Sequence, residues 1–129
     1  NNLKNEVEKK ENEKHDQLIE ISKGIIETID SFDKVEEWLI EKGLDKSDDS
    51  VKTKNRYSSV KTRLLNLLQK NGIKKMEFQD NMDKLGWTEP VETVADQTKK
   101  NNEIVSIVRN GYYRGNEIIR AAQVIIIKN

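Results

Sequence analysis

From Asn2 to about Lys42 the chain contains no proline and one interior glycine, Gly24. A single helix of about ten turns is therefore permitted along the whole stretch, and any fold must accommodate it. Its first half has almost nothing to bury. Between Leu3 and His15 the only apolar side chains are Leu3 and Val7, set among Glu6, Glu8, Lys9, Lys10, Glu11, Glu13 and Lys14, the pattern of a solvated helix with opposite charges at helical spacing. From Leu18 onward, Leu18, Ile25, Phe32 and Leu39 fall seven apart, and Ile21, Ile29, Val35 and Trp38 widen that seam into a stripe broad enough for a helix bundle. Gly24 costs roughly 1 kcal/mol against alanine in a helix interior and marks either a soft point or a close approach.

The segment Gly43 to Ser50 joins a helix-stopping glycine to Asp48, Asp49 and Ser50, any of which suits a helix N-cap. A helical hairpin loop is expected there. The second helix is predicted over about Val51 to Asn71, with Tyr57, Val60, Leu64, Leu67 and Leu68 at three- and four-residue steps, Leu65 thickening the face and Gly72 closing it. After Gly72 the period shortens to alternating runs: Ile73 to Gln79, Pro90 to Ala95, Ile104 to Arg109, Ile118 to Arg120 and Val124 to Lys128. Asn110-Gly111 and Gly115-Asn116 are turn signals, and the Val124 to Ile127 run reads as a strand covered on both faces. The class is α+β: a helical dimerisation region over 1–72 and a small β-domain over 73–129.

Charged residues make up 36% of the chain and hydrophobic ones 34%, too few core formers for a solitary globule of 129 residues, so self-association is the natural remedy. The 23 basic and 23 acidic residues cancel, leaving no global field for nucleic acid or an anionic membrane. No apolar run approaches the ~18 to 20 residues that span a bilayer, and the absence of cysteine and of a signal-peptide pattern suits a cytoplasmic protein.

No catalytic arrangement emerges. His15 is the only histidine, without a cysteine or second histidine to share a metal and without a serine elbow. Asp45, Asp48 and Asp49 lack a calcium-loop frame and are explained by capping. Neither a phosphate-binding loop nor a dinucleotide fingerprint occurs, so no cofactor is expected. Lys99 and Lys100, followed by Asn101 and Asn102, read as a polar loop. Tyr112 is expected in the core, with Trp38 buried in the bundle and Trp87 in the β-domain.

The closing stretch from Gly111 to Asn129 (GYYRGNEIIRAAQVIIIKN) resembles the signature that ends GrpE-family proteins: a Gly-Tyr pair, a turn, an apolar pair, an arginine, a small residue, an alanine and a final apolar strand. Ile26 to Glu37 (IETIDSFDKVEE) is similar to that family's long helix. The run Leu64 to Leu68, leading to Asn71-Gly72-Ile73, is similar to the handover from helix to β-domain. The resemblance covers about Ile19 to Asn129 and implies a parallel dimer with a four-helix bundle, its interface formed by Leu18, Ile25, Phe32, Leu39, Val60, Leu64 and Leu68. It also implies a non-enzymatic cochaperone whose β-domain binds the nucleotide-binding domain of a DnaK-type chaperone and speeds ADP release, with Arg114, Glu117, Arg120 and Ile126 toward that partner. Two departures stand out. Glu117 occupies a position that is usually basic, and Thr88-Glu89-Pro90 replaces a His-Glu-Ala or His-Gln-Ala run. The alternative they raise is a dimeric scaffold of the same build that docks a different protein.

Overall fold

The computed structural model describes residues 2–129. Two helices come first, α1 (Asn2–Glu41) and α2 (Asp48–Lys70). They are followed by strands β1 (Ile73–Lys75), β2 (Thr88–Val94), β3 (Ile104–Arg109), β4 (Tyr112–Arg114), β5 (Glu117–Arg120) and β6 (Ala122–Ile127). The α+β order is the one expected. The chain divides into two compact units, 1–68 and 69–129.

In the helical unit, α1 runs through Gly24 without interruption. A Cβ at Gly24 would meet nothing within 4 Å, so packing inside one chain does not demand glycine there. The helix ends where Gly43 turns to φ 66°. The Leu44 amide donates to the Leu39 carbonyl (2.9 Å) and the Gly43 amide to Ile40 (3.0 Å), so the last carbonyls find donors within the turn. The cap of α2 lies one residue before those expected. Ser47 Oγ accepts the Ser50 amide at 3.1 Å, and the Ser47 carbonyl accepts the first helical bond, from Val51, at 2.9 Å. Asp48 and Asp49 occupy the first turn instead, where their charge favours the positive end of the helix dipole.

The two helices meet on a row slightly different from the heptad. Ser22, Ile26 and Ile29 are the buried residues of α1, and Ser22 satisfies its hydroxyl on the Leu18 carbonyl at 2.6 Å. At 3.6 residues per turn this row lies roughly 80° round the helix from Leu18, Ile25, Phe32 and Leu39, which are half-buried along its flank. Phe32 packs against Tyr57 of α2 with the rings tilted and their centroids 5.5 Å apart. Trp38, expected in the bundle interior, is half exposed within one chain.

An ion-pair cluster crosses between the helices. Lys61 Nζ lies 2.7 Å from Asp33 and 3.7 Å from Glu36, with all three side chains mostly shielded. Burial opposes the lysine's charge, but the hydrogen bond and charge of Asp33, with Glu36 behind it, outweigh that and raise its pKa above 10.5. A raised folded-state pKa gives stability that is complete below the unfolded value and lost as pH climbs through the folded one. The contribution of this ion pair to the helical unit's stability is therefore expected to be present up to about pH 10 and to fall away as pH rises further. Lys61→Met should flatten this alkaline limb, as followed by circular dichroism.

The β unit contains two three-stranded sheets. In the first, of order β1-β4-β5, both pairings are antiparallel; in the second, of order β2-β6-β3, β6 is parallel to β2 and antiparallel to β3. The apolar run expected to be covered on both faces is this central β6, where Val124, Ile126 and Ile127 are buried and Ile125 is half-buried. Pro90 is tolerated inside β2 because β2 is an edge strand, with a register shift immediately after it. Met76, Ile104, Ala122, Val124 and Ile126 form the core, and Phe78, Trp87, Tyr113 and Ile118 pack against it.

The first expected strand is shorter than its apolar run, stopping at Lys75, and β4 had no place in the sequence pattern. Asn110-Gly111 separates β3 from β4, which lie in different sheets, so it forms a corner between sheets. Gly115-Asn116 closes the β4–β5 hairpin, pairing Arg114 with Glu117. Gly115 has φ 59°, the positive angle that a tight two-residue hairpin requires.

Candidate partner interface

The Gly111 to Ala122 segment is built around a residue with no space for a side chain. A Cβ on Gly111 would lie 2.6 Å from the Ala122 nitrogen and 3.0 Å from the Arg120 carbonyl oxygen, as well as on the Met76 sulfur. The Gly111 carbonyl in turn accepts the Met76 amide at 2.9 Å. Closing the corner this tightly drives Tyr112 inward, to 1% exposure, as expected of a core aromatic.

Both arginines of the segment have acceptors within the chain. Arg120 donates to the Asn110 carbonyl through Nε (3.0 Å) and Nη2 (2.6 Å), and its guanidinium lies 5.5 Å from the centre of the Tyr112 ring. It closes the corner from outside. Arg114 Nε donates to the Asn71 carbonyl at 3.1 Å, just beyond the last turn of α2. Glu117 is exposed at the start of β5. Ile126 is 2% exposed and pairs in register with Ile104 and Thr93, so it belongs to the core face of the second sheet and not to the surface.

The Thr88-Glu89-Pro90 departure has a structural consequence at its first residue. Thr88 Oγ1 accepts the Lys84 amide at 2.9 Å and donates to the Asp83 carboxylate, locking the preceding loop onto the start of β2. Lys84 lies over the Trp87 ring (4.4 Å), and Trp87 packs against Tyr113 of β4 with the rings tilted and their centroids 5.1 Å apart, so this loop meets the β4–β5 hairpin through that aromatic pair. Leu85, at the loop's end, is fully exposed. Periodicity could not single it out, because it stands alone between Lys84 and Gly86.

For the helical face, the expected interface residues divide. Leu68 is 2% exposed within one chain and Phe32 is engaged by Tyr57, whereas Val60 is 42% exposed; Leu18, Ile25, Leu39 and Leu64 are half-buried. Exposed apolar positions on the helices include Ile21, Val35, Trp38 and Ile40 on α1 and Val51, Val60 and Leu67 on α2. Among the described residues no group of three or more His, Cys, Asp or Glu side chains is arranged to hold a metal, and no helix is long and apolar enough to cross a membrane.

A long helix, a second helix and a small two-sheet β-domain follow one another along the chain. The family model described as GrpE matches residues 1–128, essentially the whole chain, and the chain belongs to the GrpE family. That family consists of cochaperones of DnaK-type chaperones and not of enzymes. No curated protein matches the chain.

Proposed function

We propose that this chain is a homodimeric nucleotide-exchange cochaperone of the cytoplasm that binds the nucleotide-binding domain of a DnaK-type chaperone and promotes ADP release. The observation that carries this reading is the match to the GrpE family over residues 1–128. The exchange step needs no chemistry from the cochaperone. A partner that binds the open state of a nucleotide cleft better than the closed state weakens the nucleotide by the same coupling energy, typically about 1 to 3 kcal/mol.

The dimer part of this reading is supported by the exposed apolar positions on α1 and α2, which a second copy would cover to complete a four-helix bundle. On the β-domain, Glu117 is exposed at the start of β5 and is the proposed point of contact with the chaperone. Glu117→Arg is expected to shift the concentration needed for half-maximal ADP release from the same organism's DnaK-type chaperone by about three- to tenfold. The shift is toward tighter binding if the chaperone surface is acidic and toward weaker binding if it has become basic. Release of a fluorescent ADP analogue reads both. If the unaltered protein fails to speed release from any DnaK-type chaperone of its organism, the proposal falls and the scaffold alternative replaces it.

A further inference from the structure

The last carbonyls of a helix have no intrahelical donor and must find one elsewhere. At the end of α2 the chain turns on Gly72, whose φ of 79° lies in the left-handed region, and the Gly72 amide returns to the Gln69 carbonyl at 3.0 Å. Two residues further on, the Asn71 carbonyl, just past the helix, accepts Arg114 Nε at 3.1 Å. A Cβ on Gly72 would stand 3.7 Å from both Arg114 Cγ and Nε, so the arginine stem lies across the glycine in ordinary contact. A cation is favoured at this end of a helix, where the backbone dipoles leave partial negative charge.

Arg114 also sits at the centre of the first sheet. It pairs with Ile73 of β1 on one side and with Glu117 of β5 on the other. The strand that carries it is three residues long, as is β1, so few backbone bonds hold this edge of the domain. A side-chain tie from β4 to the residue just after α2 therefore adds a constraint that short strands do not supply by themselves.

We infer that Arg114 is a positioning residue: through its Nε–H bond to the Asn71 carbonyl it fixes the β4–β5 hairpin, and with it Glu117, to the exit of α2, and it does not act as a charge read by the partner. The functional part of this inference rests on the exchange reading above; the tie itself concerns the chain alone. The bond is made by Nε, and glutamine carries an amide nitrogen the same number of bonds from the backbone. Arg114→Gln therefore keeps a donor at that place and removes the charge. Arg114→Met removes both and retains a stem to cover Gly72.

Two measurements on the full chain separate the possibilities. Amide hydrogen exchange at Ile73 to Lys75 and Glu117 to Ile119, without chaperone, should accelerate about fivefold in Arg114→Met and stay near the unaltered rate in Arg114→Gln. In the ADP-release assay the half-maximal concentration should rise about fivefold for methionine, stay within twofold for glutamine, and leave the rate at saturation unchanged in both. The inference is overturned if the two variants lose release equally while exchange is unaltered, because Arg114 is then a charge that the chaperone reads. It is equally overturned if methionine changes neither measurement. Should the unaltered protein not speed ADP release at all, the functional reading fails, and hydrogen exchange still decides whether the tie exists.

Discussion

Gly111→Ala is expected to destabilise the β unit by about 3 kcal/mol, among the largest effects of any single methyl addition to this chain. The added carbon would fall 2.6 Å from one backbone atom and 3.0 Å from another. The Met76 sulfur can rotate away, but the backbone of the β5–β6 corner cannot yield without pulling Ala122, at 0% exposure, out of the core. Chemical denaturation followed by Trp87 fluorescence in a Trp38→Phe background should show an earlier transition, while the helical signal of α1 and α2 changes little. Gly115→Ala provides the contrast. Its Cβ meets nothing within 4 Å, so only the cost of a positive φ applies, about 1 kcal/mol. Equal losses at the two glycines would mean that steric closure of the corner is not what Gly111 provides.

The second large effect is expected on the open helical face. Val60→Asp combined with Leu67→Asp places two carboxylates on the exposed row of α2, seven residues apart. A dimer that buries this row would have to desolvate both charges, and its dissociation constant should rise by at least about 100-fold. Sedimentation equilibrium reads the change directly. Phe32→Asp is a less selective probe, because Phe32 already contacts Tyr57 and its loss would loosen the hairpin as well. A double variant that sediments as the unaltered protein does would remove these helices from the interface.

Some parts of this structure could be read in the sequence and others could not, for identifiable reasons. The long helix was visible because forty residues without proline and with an apolar row leave few alternatives. Which row it buries was not. The heptad positions and the Ser22, Ile26, Ile29 row overlap, and a buried serine bonded to its own helix gives no apolar signal. The α2 cap slipped by one residue because Ser47, Asp48, Asp49 and Ser50 are all competent caps, and only backbone geometry selects among them. β4 was missed because three residues between two glycines are too few to show alternation.

The Gly-Tyr signature pointed to an important segment without saying why. The reason is the proximity of the Ala122 and Arg120 backbones, which no local pattern encodes. Arg114 and Arg120 looked like surface charges for the same kind of reason. Their acceptors are the main-chain carbonyls of Asn71 and Asn110, and a carbonyl is present at every residue. The family resemblance turns Ile126 toward the partner, whereas its alternation with Ala122 and Val124 along β6 puts it in the core.

The position of β6 in its sheet also has a consequence for biosynthesis. β2 and β3 do not pair with each other; each pairs with β6, which follows both in the chain. While the polypeptide emerges from the ribosome, the two earlier strands therefore have no sheet to join until residues 122–127 have cleared the exit tunnel. During that interval Val91, Val105, Ile107 and Val108, exposed even in the finished fold, stand on unpaired edges. The helical hairpin depends on nearer neighbours and can close first. A ribosomal pause placed within this interval is expected to prolong the exposure of these strand edges.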